Sequence, residues 1–233
     1  MRFAALILIT TAALCQVCGA ESFLPLQIGN RWEYTSSEGD ETKEVTGTIE
    51  LWGEEVFVVE FLESVYNIGL DQYWTTNAEG DVLIWGWWRD DDQYGLLFDP
   101  PIPVADAPLY LDKAWSHICD VYTLPDTAYA GQNEMGYRVY WEGVLSVPAG
   151  DFYSYGIGQY LPIGGGLLGN HSVTGELVVE DRREEPTDWY SDGVGETQYW
   201  TSDVYQLVGF DQPVAVEQTT WGAVKTLYGP ALE

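Results

Sequence analysis

Basic residues are scarce in this chain of 233 residues: nine Lys and Arg stand against 37 Asp and Glu, for a formal net charge of −28. A field of that sign repels phosphate, so nucleic acid and anionic lipid head groups are set aside as partners. Histidine is rarer still, with only His117 and His171. In "HICD", His117 and Cys119 lie on one side of an extended chain, but a single H-x-C pair falls short of a four-ligand zinc site. His171 has no G-x-S-x-G elbow to serve, which argues against Ser-His hydrolysis. No metal, cofactor or catalytic set is expected.

Cysteine and long apolar runs are confined in the same way. Two of the three cysteines fall in "MRFAALILITTAALCQVCGA", leaving Cys119 without an internal disulfide partner. That opening carries Arg2, an apolar stretch from Phe3 to Leu14 and a small-residue exit at Gly19 and Ala20, so residues 1–20 read as a secretory signal peptide. Leu14 precedes Cys15 and Val17 precedes Cys18, where a lipid anchor needs a small residue. No later run approaches the ~20 apolar residues of a membrane-crossing helix. The expectation is an exported chain, periplasmic or extracellular, with no transmembrane segment after signal removal.

Two further motifs are incomplete. "DDDQYG" from Asp90 puts Tyr94 where a calcium loop needs an oxygen ligand and Pro101 where it needs the closing Glu. "GIGQYLPIGGG" holds no Lys or Arg and precedes no helical pattern, so it reads as a loop rather than a phosphate cradle.

What the chain has in quantity is period-two alternation with β-branched and aromatic residues. Candidate strands are 31–35, 44–52, 55–63, 72–76, 81–89, 137–145, 151–157, 172–181, 187–191, 197–201 and 204–210. Short turn signals between them predict an all-β antiparallel meander. Helical spacing returns only in the tail 212–233, where Trp221, Val224, Lys225 and Tyr228 follow a Thr220 cap and Gly229 offers an exit, predicting a short C-terminal helix.

The sequence also repeats itself. "WTTNAEGDVLIW" (Trp74 to Trp85) and "WYSDGVGETQYW" (Trp189 to Trp200) share one twelve-residue pattern. Asn77 and Asp192 can accept from the turn backbone while Gly80 and Gly195 take positive φ, so each phrase is expected to be a hairpin with its two tryptophans in contact across the arms. "PLQIGNRW" from Pro25 and "PLYLDKAW" from Pro108 match as well, in the same order. The reading is a duplication: a first half at 21–98, a proline-rich connector at 99–108, and a second half at 109–211 that carries insertions such as Tyr122 to Gly136. The halves are expected to form curved sheets merged over one core.

Aromatic enrichment suggests the binding chemistry. In "LIWGWWRD", plain alternation puts Leu83, Trp85 and Trp87 on one side and Ile84 and Trp88 on the other, which calls for cover on both sides. Trp74, Trp85, Trp87, Trp88, Trp189 and Trp200 are the candidate ligand-binding residues. The carboxylates Glu60, Glu63, Glu142 and Asp151 are the candidates for a glycosidase pair, which requires a defined separation that abundance alone does not supply.

"FLPLQIGNRWEY", "LSVPAGDFYSYGI", "DWYSDGVGETQYW" and "YQLVGF" resemble a broad group of uncharacterised exported bacterial proteins with a F/Y-x-P-L-x-x-G-N-x-W-x-Y opening, a V-P-A-G-x-F phrase and a Y-x-x-G-V-G hairpin. The resemblance spans Ser22 to Phe210 and implies an all-β envelope domain without transferable catalytic residues. This chain departs at Leu24, where the group has an aromatic, and at Glu196, where the group has a β-branched residue. The expected function is non-enzymatic binding of an apolar or carbohydrate ligand, or of an envelope partner, through an aromatic groove. A glycoside hydrolase with paired carboxylates and a purely structural envelope protein are the alternatives.

Overall fold

The structure, a computed structural model, describes residues 23–64, 67–160, 186–200 and 203–212. The expected signal peptide, the strand at 172–181, His171 and the C-terminal helix lie outside those residues. The described chain is all β, as the alternation predicts: β1 (Arg31–Thr35), β2 (Asp40–Leu51), β3 (Glu54–Glu63), β4 (Leu70–Thr76), β5 (Val82–Arg89), β6 (Tyr94–Ala105), β7 (Ala114–Leu124), β8 (Ala128–Val147), β9 (Gly150–Tyr160), β10 (Asp188–Ser191), β11 (Gly195–Trp200) and β12 (Val204–Asp211). Each strand pairs antiparallel with its sequence neighbours, and β12 pairs with β1 from Arg31↔Asp211 to Thr35↔Gln206, closing a barrel. Closure satisfies the backbone groups that an open sheet leaves at its edges. The expected pair of curved sheets is therefore one continuous wall.

Two strands run where none was expected. β6 passes through the supposed connector, and β7 with the start of β8 occupies the supposed insertion. Proline is tolerated in β6 because its ladder to β7 ends at Asp99, so Pro100, Pro101 and Pro103 interrupt no hydrogen bond there.

Side chains that point inward form one core, including Trp32, Tyr34, Val45, Val59, Trp74, Phe98, Val139, Ile157, Tyr199 and Leu207. A second, smaller cluster lies on the outer surface around Val56, Val58, Tyr73, Trp85 and Leu97. A bulge in β5 separates them: Trp74 pairs with Ile84 and Tyr73 with Gly86, leaving Trp85 as the extra residue. One inserted residue reverses the alternation that follows it. Trp85 and Trp88 therefore face the outer cluster while Ile84 and Trp87 face the core, in place of the expected grouping.

The repeated phrases occupy corresponding strands. The tryptophan hairpins are β4–β5 and β10–β11, and the Pro-Leu phrases lead into β1 and β7, in both cases six strands apart. Gly29 N–H donates to Val45 O (2.7 Å) and Val45 N–H to Asn30 O (2.9 Å); Asp112 N–H donates to Val139 O and Val139 N–H to Lys113 O, both at 2.9 Å. Gly29 and Asp112 share positive φ, at 89° and 68°.

Candidate functional site

A partly open cavity of about 430 Å³ lies within the barrel, and apolar and polar groups share its lining. Toward the end that carries the β10–β11 turn, the walls are Leu24, Trp32, Trp74, Ile84 and Val104. Leu24 reaches in from the segment before β1, and the Trp32 indole N–H fastens that end by donating to Val194 O at 2.6 Å. Asp188 and Tyr199 lie toward the opposite end, where β10 begins and β11 finishes, whereas Lys43 pairs with Trp32 and Glu196 follows Gly195, beside the apolar walls.

Strand alternation explains why ionisable groups are inside. Trp32↔Lys43 pairing places Lys43 on the inward row of β2 together with Glu41 and Val45. Lys43 Nζ lies 2.6 Å from Glu196 Oε2 and 4.0 Å from Glu41 Oε1. Aromatic rings surround the same ammonium, with centroids at 3.9 Å for Tyr199, 4.9 Å for Phe61 and 5.1 Å for Tyr34. Ion pairing and ring faces together compensate a desolvated cation. Glu41, at 1% exposure, accepts from the Tyr199 hydroxyl, from Ser64 Oγ at 2.7 Å and from Asn67 Nδ2 at 3.2 Å.

Asp188 is the most perturbed acid at the site. Burial, and then the charge of neighbouring Glu196, push it up to about 7; hydrogen bonding to Glu196 acts in the same direction, against the opposing effects of Thr187 and Lys43. Protonated Asp188 is a hydrogen-bond donor to Glu196, which Lys43 holds from its other side. Burial and nearby carboxylates hold the phenols of Tyr34, Tyr190 and Tyr199 well above their usual range, so these hydroxyls remain protonated.

The candidate tryptophans do not form one groove. Trp74 lines the cavity, and Trp87 packs into the core against Tyr94 with ring centroids 5.7 Å apart. Trp85 and Trp88 belong to the outer cluster, so Trp74 and Trp85 stand on opposite sides of the wall rather than in contact. Trp189 lies over Gly156, where a Cβ would come within 3.0 Å of its Nε1. Trp200 pairs with Val204 in β12; its side chain lies outside the described residues. On the outer surface Trp85, Trp52, Tyr122 and Tyr129 make a ladder with successive centroids 6.1, 5.7 and 5.7 Å apart.

The four turn residues lie in the two hairpin loops. Asn77 Oδ1 accepts from Glu79 N–H and Asp81 N–H, and Gly80 takes φ 94°. Asp192 sits in the β10–β11 turn, and Gly195, which opens β11, takes φ 98°.

The four acids weighed for hydrolysis are dispersed: Glu60 accepts from Thr46, Glu142 from Tyr153 and Leu111 N–H, Asp151 from Ser146, and Glu63 is exposed at the end of β3. Sequence reasoning missed the inward-facing set of Glu41, Lys43, Asp188 and Glu196. The one available signal was Glu196, an acid where the related motif carries a β-branched residue. Among the described residues, no group of three or more His, Cys, Asp or Glu is arranged to hold a metal ion.

No family model and no curated protein matches the chain. Two solved structures match in outline. A protein from Bacteroides fragilis, described as inferred to be exported and as having a YmcC-like fold, gives a TM-score of 0.39 at 13% identity over 82% of this chain and 100% of its own. A protein from Parabacteroides distasonis, described as an inferred lipoprotein, gives a TM-score of 0.30 at 13% identity over 82% and 99% of the two chains.

Proposed function

We propose that this chain is a non-enzymatic, exported binding protein that encloses a small ligand with an apolar body inside its barrel. The observation that carries the reading is the cavity of about 430 Å³, whose lining joins apolar and aromatic walls to a polar cluster. That volume falls within the range of about 300–1,000 Å³ usual for small-molecule sites, and the mix of aromatic walls with a few convergent polar groups is the lining such sites use. Export is supported by the signal-like opening. Residence in water is supported by the outer face, where Arg31, Glu44, Glu60 and Asp71 stand in cross-strand register across β1 to β4. A lipid-facing barrel presents an apolar band at that depth. Among the described residues, no helix is long and apolar enough to cross a membrane.

Glycoside hydrolysis is the weaker reading. Its two carboxyl groups need to lie about 5 Å or more apart. Asp188 and Glu196 are instead in direct hydrogen-bond contact. We also read β1–β6 and β7–β12 as two copies of one six-stranded unit, on the strength of the matched phrases and their matched hydrogen bonds.

Titrating the purified full chain with a panel of apolar and amphiphilic compounds, while following tryptophan emission and melting temperature, tests the binding reading. A binder should shift both signals, and Trp74→Phe should reduce the emission change, because Trp74 lines the cavity together with Trp32. A panel that leaves both signals flat would leave only a structural role.

A further inference from the structure

The polar cluster in the cavity constrains what can bind there, an inference that rests on the binding reading above. Among the described residues, Glu41, Asp188 and Glu196 face a single basic side chain, Lys43. Lys43 is already engaged, with Glu196 at 2.6 Å and three aromatic rings around its ammonium. Glu41 is satisfied by Tyr199, Ser64 and Asn67. Glu196 is shared between Lys43 and Asp188. Asp188 is the member without a cation of its own: it faces the cavity and accepts from Thr187 Oγ1 at 2.7 Å. Tyr137 from β8 and Tyr190 from β10 line the cavity near it. A ligand group reaching this cluster therefore meets a carboxyl and aromatic side chains, and among the described lining residues no second Lys or Arg.

We infer that the cavity takes a compound with an apolar or aromatic body and a basic nitrogen, with Asp188 as the counter-ion of that nitrogen. An anionic head would meet the surplus of acid, and a neutral one would form no ion pair with Asp188. Binding is also a proton exchange. The ligand arrives as its ammonium ion, Asp188 gives up the proton it had placed on the hydrogen bond to Glu196, and that proton leaves to solvent; no covalent bond forms or breaks in the ligand. The groups around Asp188 are Glu196 and its cross-strand partner Tyr199 from β11, Lys43 from β2, Tyr137 from β8, and Thr187 and Tyr190 on its own segment. Because burial and Glu196 hold Asp188 near 7, the exchange falls in the neutral range.

Isothermal titration of the full chain with 4-phenylbutylamine, 4-phenylbutanol and 4-phenylbutyrate tests this, since the three probes share a body and differ in the head. At about pH 8 the amine should bind at least tenfold more tightly than the alcohol, and the carboxylate most weakly. Amine affinity should fall at least tenfold between about pH 8 and about pH 5.5, and titrations near pH 6 in buffers of different ionisation enthalpy should show close to one proton released per amine bound. Asp188→Asn should remove the preference, bringing the amine to the level of the alcohol measured on the same variant. The proton count on the unaltered protein decides the matter even if that variant folds poorly. Equal or tighter binding of the alcohol or carboxylate, or amine binding without proton release, would overturn the amine assignment while leaving the binding reading intact. Binding of none of the three would overturn both.

Discussion

At Gly195 two requirements coincide in one residue. Its φ of 98° disfavours any side chain, and an added Cβ would lie 2.9 Å from Leu24 Cδ1 and 3.2 Å from Trp32 Nε1, against two side chains that line the cavity. Gly193, in the same turn, has φ 71° and open space around the position of a Cβ. Gly193→Ala should therefore cost about 1 kcal/mol, from backbone strain alone, and Gly195→Ala about 2 kcal/mol or more, measured by urea unfolding. Equal losses would contradict the packing at Leu24. Asp188 gives a prediction of a different kind. The folded chain holds a proton there up to about pH 7, whereas the ordinary value of 3.8 means the unfolded chain releases it far earlier. Stability should thus fall as pH rises from about 4 to 7 and level off above, by on the order of 2 kcal/mol, since the group faces a cavity rather than solid core. Asp188→Asn cannot titrate and should lose that part of the slope in thermal melts across the window. Asp71, held at about 6 by burial and the adjacent Glu60 and Asp90, adds a slope of the same sign that both proteins keep.

At the scale of the element, β5 carries the clearest departure from what alternation predicts. Gly86, at φ 152°, sits at the bulge, and a Cβ there would meet Leu96 O at 2.1 Å and Leu97 Cα at 3.0 Å. Backbone atoms cannot move aside as a side chain can. Gly86→Ala should cost at least 3 kcal/mol or prevent folding, and circular dichroism melts of the variant would show it. Period two made most strands legible, and Asx-x-x-Gly made both hairpins legible, because those signals are local. The side on which Trp85 and Trp87 emerge was not legible, since a bulge is a property of the pairing. β6 was hidden for a related reason: proline marks a strand as improbable, yet the interruption of the β6–β7 ladder after Asp99 leaves it room. The matched hydrogen bonds of Gly29, Val45 and Asn30 with those of Asp112, Val139 and Lys113 were foreshadowed by the repeated Pro-Leu phrases alone.

At the scale of the whole molecule, closure decides where the site is. A reader of the sequence assigns polar residues to the outside of a sheet, so Glu41 and Lys43 look like solvent-facing strand ends; only pairing with β1, and closure through β12, turns them inward. The candidate site was therefore legible only in Trp74 and in the odd acid at Glu196. Net charge belongs to this scale too. With −28 formal charges on one compact body, self-repulsion weakens the fold, so the melting temperature should rise as sodium chloride increases from about 0.02 to about 0.5 M, where the screening length shortens to a few ångströms. A melting temperature that fell with salt would mean that the ion pairs, Lys43–Glu196 foremost, outweigh the repulsion. Leu24 packs against Gly195 and Gln212 Nε2 donates to Gly193 O, so both ends of the described barrel lie by the β10–β11 turn. A surface, bead or fusion partner joined directly at residue 23 or 212 would thus approach the molecule from the side of that turn.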